Sequence, residues 1–144
     1  MIQSFLTRLS FRDIYEATDY WVDDAPGGPF RICCGEQSPE LDRALSEAGA
    51  HDWVYITACN PLSQALSDQE NASRMLDLEA RLRAMSCVVF HGRGVGRIGN
   101  WPAEPSLLVM GLSVDEGLNL GREFGQAAIV AGRRGEPARL AWTS

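Results

Sequence analysis

The stretch from Trp53 to Asn71, WVYITACNPLSQALSDQEN, constrains the fold more than any other part of the chain. The apolar run Trp53–Ile56 is short, and it ends abruptly in Thr57, Ala58, Cys59, Asn60 and Pro61. A short run closed by turn formers suits a buried strand better than a helix. After a polar loop, Ser67 is followed three residues later by Glu70, the pattern of a capping box. The segment therefore reads as strand, loop and capped helix. Small polar side chains gathered at the end of a buried strand are where α/β proteins usually place binding or catalytic groups.

The remaining elements follow from the same signals. Ser10 as N-cap, with Phe11, Ile14, Tyr15 and Thr18 at helical spacing, predicts a helix over 10–22. The breaker cluster Asp23–Pro29 separates it from a strand over 30–34. Ser38 with Pro39 at the first helical position opens a helix that Gly49 stops. The helix after Ser67 runs to about Ala84, with Met75, Leu78 and Leu82 on one side and Leu76 off that stripe. Strands are expected over 86–90 and 107–112, with a glycine- and proline-rich loop over 92–105 between them. A helix starting at Ser113 and two closing strands, over 127–131 and 138–142, complete the chain. From residue 53 to 131 the order is strand, helix, strand, strand, helix, strand, that of a ferredoxin-like core. The expected fold is thus α+β, one domain over 1–144, with an N-terminal helix–strand–helix and one extra C-terminal strand. A mixed three-layer α/β arrangement gives the same string.

Composition limits the function. The formal net charge of −6 argues against a general electrostatic grip on nucleic acid. Arg93, Arg97, Arg133 and Arg134 read as solvated loop arginines rather than a basic patch. No apolar run approaches the roughly 18 residues that span a bilayer, and the N-terminus lacks the marks of a signal peptide. A cytoplasmic protein is the expectation. Cys33, Cys34, Cys59 and Cys87 form no CxxC pair and sit among apolar residues, as buried free thiols do. With only His51 and His91 to help, no metal site and no cofactor is expected.

Several residues are candidates for chemistry. Thr57 and Asn60 both donate and accept hydrogen bonds, which suits an uncharged polar ligand; equally, they can satisfy backbone groups at a turn. Pro61 drives Asn60 out of helical geometry. Asp68 and Glu70 in the first turn of the following helix repel phosphate there. Gln126, just after Gly125 at a helix end, enters the core and needs partners, or costs roughly 1–3 kcal/mol. Tyr15 and Thr18 share a face of the first helix, with Tyr20 displaced from it, and tyrosine suits a core edge or a pocket wall. His91 at a strand end and Glu70 are the best acid–base candidates, although a histidine so placed is more often simply hydrogen-bonded. Gly94, Gly96 and Gly99 spell GxGxxG, but prolines rather than a helix follow, so a lid-like excursion is the better reading.

Tyr15-x-x-Thr18-x-Tyr20, Thr57-Ala58-x-Asn60-Pro61, Glu70-Asn71 and Phe124-Gly125-Gln126-x-Ala128 together resemble a bacterial family of uncharacterised proteins, DUF3293. The resemblance runs in order along nearly the whole chain. It implies a compact, stand-alone bacterial protein and supplies no reaction. Where such proteins carry tryptophan between Ala58 and Asn60, this chain has Cys59, which speaks against a stacking role there and leaves the loop intact. The function expected is binding of a polar small molecule, such as a nucleotide-like metabolite. Asn60 and Gln126 would bond it, Tyr15 and Tyr20 would wall it, Thr18, Thr57 and Asn71 would line the same place, and the 92–99 loop would close over it. The alternative is a regulatory module that binds another protein through exposed Trp101 and Trp142.

Overall fold

A computed structural model describes residues 12–97 and 102–144 of the chain. Its centre is strand β3 (Asp52–Ile56), which lies between β5 (Glu104–Met110) and β6 (Ala128–Arg133). Period-two alternation along β3 sends Trp53 and Tyr55 to one face of the sheet and Val54 and Ile56 to the other. All four are at most 3% exposed, so the strand is buried on both sides. The other strands are β1 (Thr18–Val22), β2 (Phe30–Ile32), β4 (Val88–Gly96) and β7 (Arg139–Trp142). The seven form one sheet in the order β2-β1-β4-β5-β3-β6-β7, antiparallel at every junction. The sheet curls until its edges touch. Cys34 forms a parallel bridge with Ala138, and the N–H of Gly35 donates to the Ala138 carbonyl at 2.7 Å.

Helix α1 (Pro39–Ala48) buries Leu41, Ala44 and Leu45 against one face, beside Trp53, Tyr55 and Leu108. Helices α2 (Asp68–Ala84) and α3 (Val114–Glu123) cover the opposite face with Leu78, Leu82 and Leu120, against Val54, Leu107, Val109 and Ile129. Their starts are the expected ones. Ser38 caps α1, and Ser67–Glu70 and Ser113–Glu116 form full capping boxes. Gly49, at φ 68°, closes α1 in the left-handed region that glycine occupies most readily. Leu76 points away from the core and is 70% exposed. No described helix is long and apolar enough to cross a membrane.

Two expectations need correction. The helix predicted over 10–22 is helical only over 12–16 among the described residues, and Thr18–Val22 is strand β1. Thr18, Tyr20 and Val22 alternate inward, and pairing with β4 outweighs the helical spacing. The loop predicted over 92–105 is mostly sheet, since β4 runs through Gly96 and β5 begins at Glu104. Gly92, Gly94 and Gly96 therefore form no lid; they lie in a strand paired to β1, and Gly92 and Gly94 also pair to β5. Gly99 and Trp101 lie outside the described residues.

Glycine at 92 has a steric reason. A Cβ there would sit 1.8 Å from the Trp21 carbonyl oxygen, whereas one at Gly94 would meet nothing closer than 3.6 Å. Gly92→Ala is therefore expected to cost about 3 kcal/mol, the upper range for overpacking, and Gly94→Ala under about 1 kcal/mol. Urea denaturation of the two variants checks this; equal midpoints would refute the steric account.

Candidate functional site

The registers bring the end of β3, the start of β5, the start of β6 and the end of β7 to one edge of the sheet. The start of β1 and the end of β4 lie at the same edge. Beyond β3 the chain stays buried at Ala58 and Cys59, which are 0% and 1% exposed, but has no strand beside it. Buried backbone groups must still find partners. Side chains supply them. Thr57 Oγ1 accepts from the N–H of Cys59 at 3.1 Å and donates to the Pro105 carbonyl at 2.6 Å. Arg74 donates through Nε to the Ala58 carbonyl at 2.6 Å and through Nη2 to the Phe124 carbonyl. The Gln126 amide donates to the carbonyls of Cys59 (3.1 Å) and Phe124 (3.2 Å).

Asn60 is the hub. Its N–H donates to Asn71 Oδ1 at 2.9 Å, and Asn71 Nδ2 donates back to Asn60 Oδ1 at 2.9 Å. Asn60 Oδ1 also accepts from the N–H of Leu66 at 3.0 Å, and Asn60 Nδ2 donates to Glu104 Oε2 at 2.9 Å. The loop so held is strained. Asn60, Leu62 and Ser63 have φ of 48°, 53° and 61°, a region in which non-glycine residues are uncommon. The Leu62 N–H donates to the Gly125 carbonyl at 2.7 Å. Pro61 packs so closely on Gly125 that a Cβ there would stand 2.8 Å from the proline Cβ. Leu62 itself is 73% exposed.

Thr57, Asn60, Asn71 and Gln126 are thus brought together, with their polar groups turned to one another and to the backbone. Tyr15 reaches the same edge. Burial raises its pKa, a hydrogen bond with Ser63 lowers it and the nearby charge of Glu104 raises it. Its ring lies 6.1 Å from that of Trp142, which is half-buried in β7 rather than exposed. Thr18 and Tyr20 are buried, and their hydroxyls donate to the carbonyls of Ile14 (2.6 Å) and Tyr15 (2.8 Å). Tyr20 packs edge-on against Tyr55 as core, so it walls no pocket. Glu70 is exposed and occupied as the return half of the Ser67 cap. Burial pushes all four thiols up, Cys33 and Cys34 to about 11, and none is poised as a nucleophile.

Sequence reasoning missed Glu104, Ser63 and Arg74. Glu104 stands at the mouth of β5 between Pro102 and Pro105, and only the fold carries its carboxyl to Asn60. Burial raises its pKa, against the lowering effect of the Asn60 amide. Two hollows open on the surface, the second of them beside the Arg74–Phe124 part of this network. One of about 350 Å³ is lined by Trp21, Phe30, Arg31 and Glu40, and one of about 530 Å³ by Arg74, Asp77, Arg81 and Glu123.

His91 is engaged away from this edge. Its Nδ1 lies 2.7 Å from Asp24 Oδ2 and its Nε2 lies 2.6 Å from Glu79 Oε1. Those two bonds, Asp24 first, raise its pKa. The bonds from His91 hold Glu79 low, and for Asp24 they outweigh the upward push of burial. No group of three or more histidine, cysteine or acidic residues among the described residues is placed to hold a metal ion.

The chain belongs to the DUF3293 family of proteins of unknown function, whose sequence model matches residues 56–129, just over half of its 144 residues. The matched segment starts at the last residue of β3 and runs through the strained loop, α2, Glu104 and Gln126. No curated protein and no solved structure matches the chain.

Removing Asn71 orphans the Asn60 N–H, so Asn71→Ala is expected to cost about 1–3 kcal/mol in urea denaturation. Gln69→Ala, on the exposed side of the same helix turn, should stay within about 0.5 kcal/mol. The His91 pair has its own signature. With a folded pKa above the ordinary 6.5, its contribution to stability is complete below that value and is lost as pH rises through the raised one. Asp24 and Glu79, held low, contribute above the usual carboxylate range and lose that as pH falls. An NMR titration should show His91 above its ordinary midpoint and Asp24→Asn moving it downward; an unchanged midpoint would dissolve the pair. The energy is modest, since the imidazole is half exposed.

Proposed function

We propose that this protein binds a polar small molecule at the sheet edge formed by the 57–66 loop, Glu104 and Tyr15. The observation that carries the reading is the strained loop, with three non-glycine residues of positive φ inside four positions. Such strain costs of order 1–3 kcal/mol per residue and persists where the surroundings over-determine it, typically at ligand clamps and active sites. Here Asn60, Asn71, Arg74 and Gln126 over-determine it. Their role is to hold the loop, and the ligand meets Ser63 of the loop together with Glu104 and the Tyr15 ring. The pairing order β4-β5-β3-β6, with α2 and α3 on one face, supports reading the core as ferredoxin-like. Buried thiols with raised pKa values support a reducing, cytoplasmic setting.

A protein-binding role is the second reading, favoured by one observation: Leu62 is held rigidly by its bond to Gly125 yet 73% exposed. Thermal-shift screening against nucleotides, sugars, amino acids and amines separates the two. A ligand at a hundredfold over its Kd adds about 2.7 kcal/mol, a Tm rise of roughly 5–10 °C for a domain of this size. That rise, reduced in Ser63→Ala, is the expected result. A flat screen on folded protein, with a partner captured by wild type and lost in Leu62→Ser, would replace the first reading with the second.

A further inference from the structure

Among the half-buried carboxylates of the described residues, Glu104 is poorly compensated. Asp19 meets Arg31 and Arg97, Glu79 meets His91 and Arg83, and Asp52 meets Arg133. Asp42 has no cation but receives two donors, from Gln37 Nε2 and the Gly135 N–H. Glu104 has a single neutral donor, the Asn60 amide at 2.9 Å, and no described cation within ion-pair reach. Arg74, the arginine of the network, is turned to the carbonyls of Ala58 and Phe124. A partly buried carboxylate without a countercharge is costly, and structures normally supply one.

One aromatic ring near Glu104 is suited to receive a cation. Tyr15 feels its charge, Ser63 bonds Tyr15, and the Tyr15 ring is tilted 45° to the ring of Trp142 at 6.1 Å. Aromatic faces attract ammonium and guanidinium groups through their quadrupole. A phosphate would meet the opposite conditions: Glu104 itself, with Asp68 and Glu70 in the nearby first turn of α2. Building on the small-molecule reading above, we infer that the ligand is an organic cation, a small molecule whose ammonium or guanidinium nitrogen pairs with Glu104 against the ring of Tyr15. This selects among polar metabolites and disfavours the nucleotide-like ligand that the loop sequence suggests.

The test is isothermal titration calorimetry on the full chain with putrescine, agmatine and tetramethylammonium, and with AMP and glucose as controls. Chemical-shift mapping of Tyr15, Ser63 and Glu104 in the wild type accompanies it. The expected result is binding of at least one cation, with shifts at those residues. Glu104→Gln, which keeps the shape and an acceptor for Asn60, should weaken it at least about tenfold. Tyr15→Leu should weaken it several-fold while Tyr15→Phe does not. Cation binding undiminished in folded Glu104→Gln, or shifts elsewhere on the surface, would overturn the inference. AMP or glucose binding at this edge without any cation would overturn it too, while leaving the small-molecule reading intact. Silence from every probe in calorimetry and in the spectra would count against both. Should Glu104→Gln not fold, the wild-type shift map and the Tyr15 pair decide alone.

Discussion

The structure depends on the burial of β3 on both faces. Strands on either side satisfy its backbone, α1 covers one face, and α2 and α3 cover the other. That arrangement creates a difficulty where the strand ends. Ala58 and Cys59 remain as buried as the strand itself, but no ladder continues beside them. Water does not reach their peptide groups, so the fold must supply partners from side chains. Thr57, Arg74 and Gln126 do so from three different stretches of chain, and Asn71 does the same for the N–H of Asn60. Among the described residues, no buried side-chain nitrogen or oxygen is left without a partner.

A polar cluster that completes itself in this way is rigid, and rigidity is what permits the strain of the following loop. Asn60 is one of the few residues that tolerates the left-handed region, because its short amide bonds locally. Leu62 and Ser63 have no such excuse; they are held there by the Leu62–Gly125 bond and by Pro61 wedged against a glycine that can have no side chain. The residues that stand out in the sequence are therefore mostly the scaffold of the site. Ser63 and Glu104, beside this scaffold, are plain in sequence and acquire meaning only from their neighbours.

The glycines of β4 make a related point. Read as a string, Gly92, Gly94 and Gly96 suggest a mobile loop, because glycine weakens regular structure. In the sheet, Gly92 lets the Trp21 carbonyl approach to a distance that any side chain would forbid, which is the other use of a strand glycine. His91, adjacent to them, is likewise explained by its surroundings. Two carboxylates from separate elements clasp it, tying the segment after β1 to α2 across β4.

Local chemistry was legible from the sequence alone. Caps at Ser38, Ser67 and Ser113, glycine stops at Gly49 and Gly125, and the short apolar runs of β3 and β5 act through near neighbours, so the letters carry them. Thr57, Asn60, Asn71 and Gln126 were also readable, as members of three short patterns expected to meet, though their hydrogen bonds to one another and to the backbone were not. What only the tertiary structure decided involves partners far apart in the chain. Thr18–Val22 is a strand because β4 lies beside it, and β4 is long because β1 and β5 flank it on both sides. Glu104 matters because the β3–β5 register brings it to Asn60, 44 residues away. Spacing along a chain encodes the period of an element; which charge faces which amide is set by packing, after the elements have met.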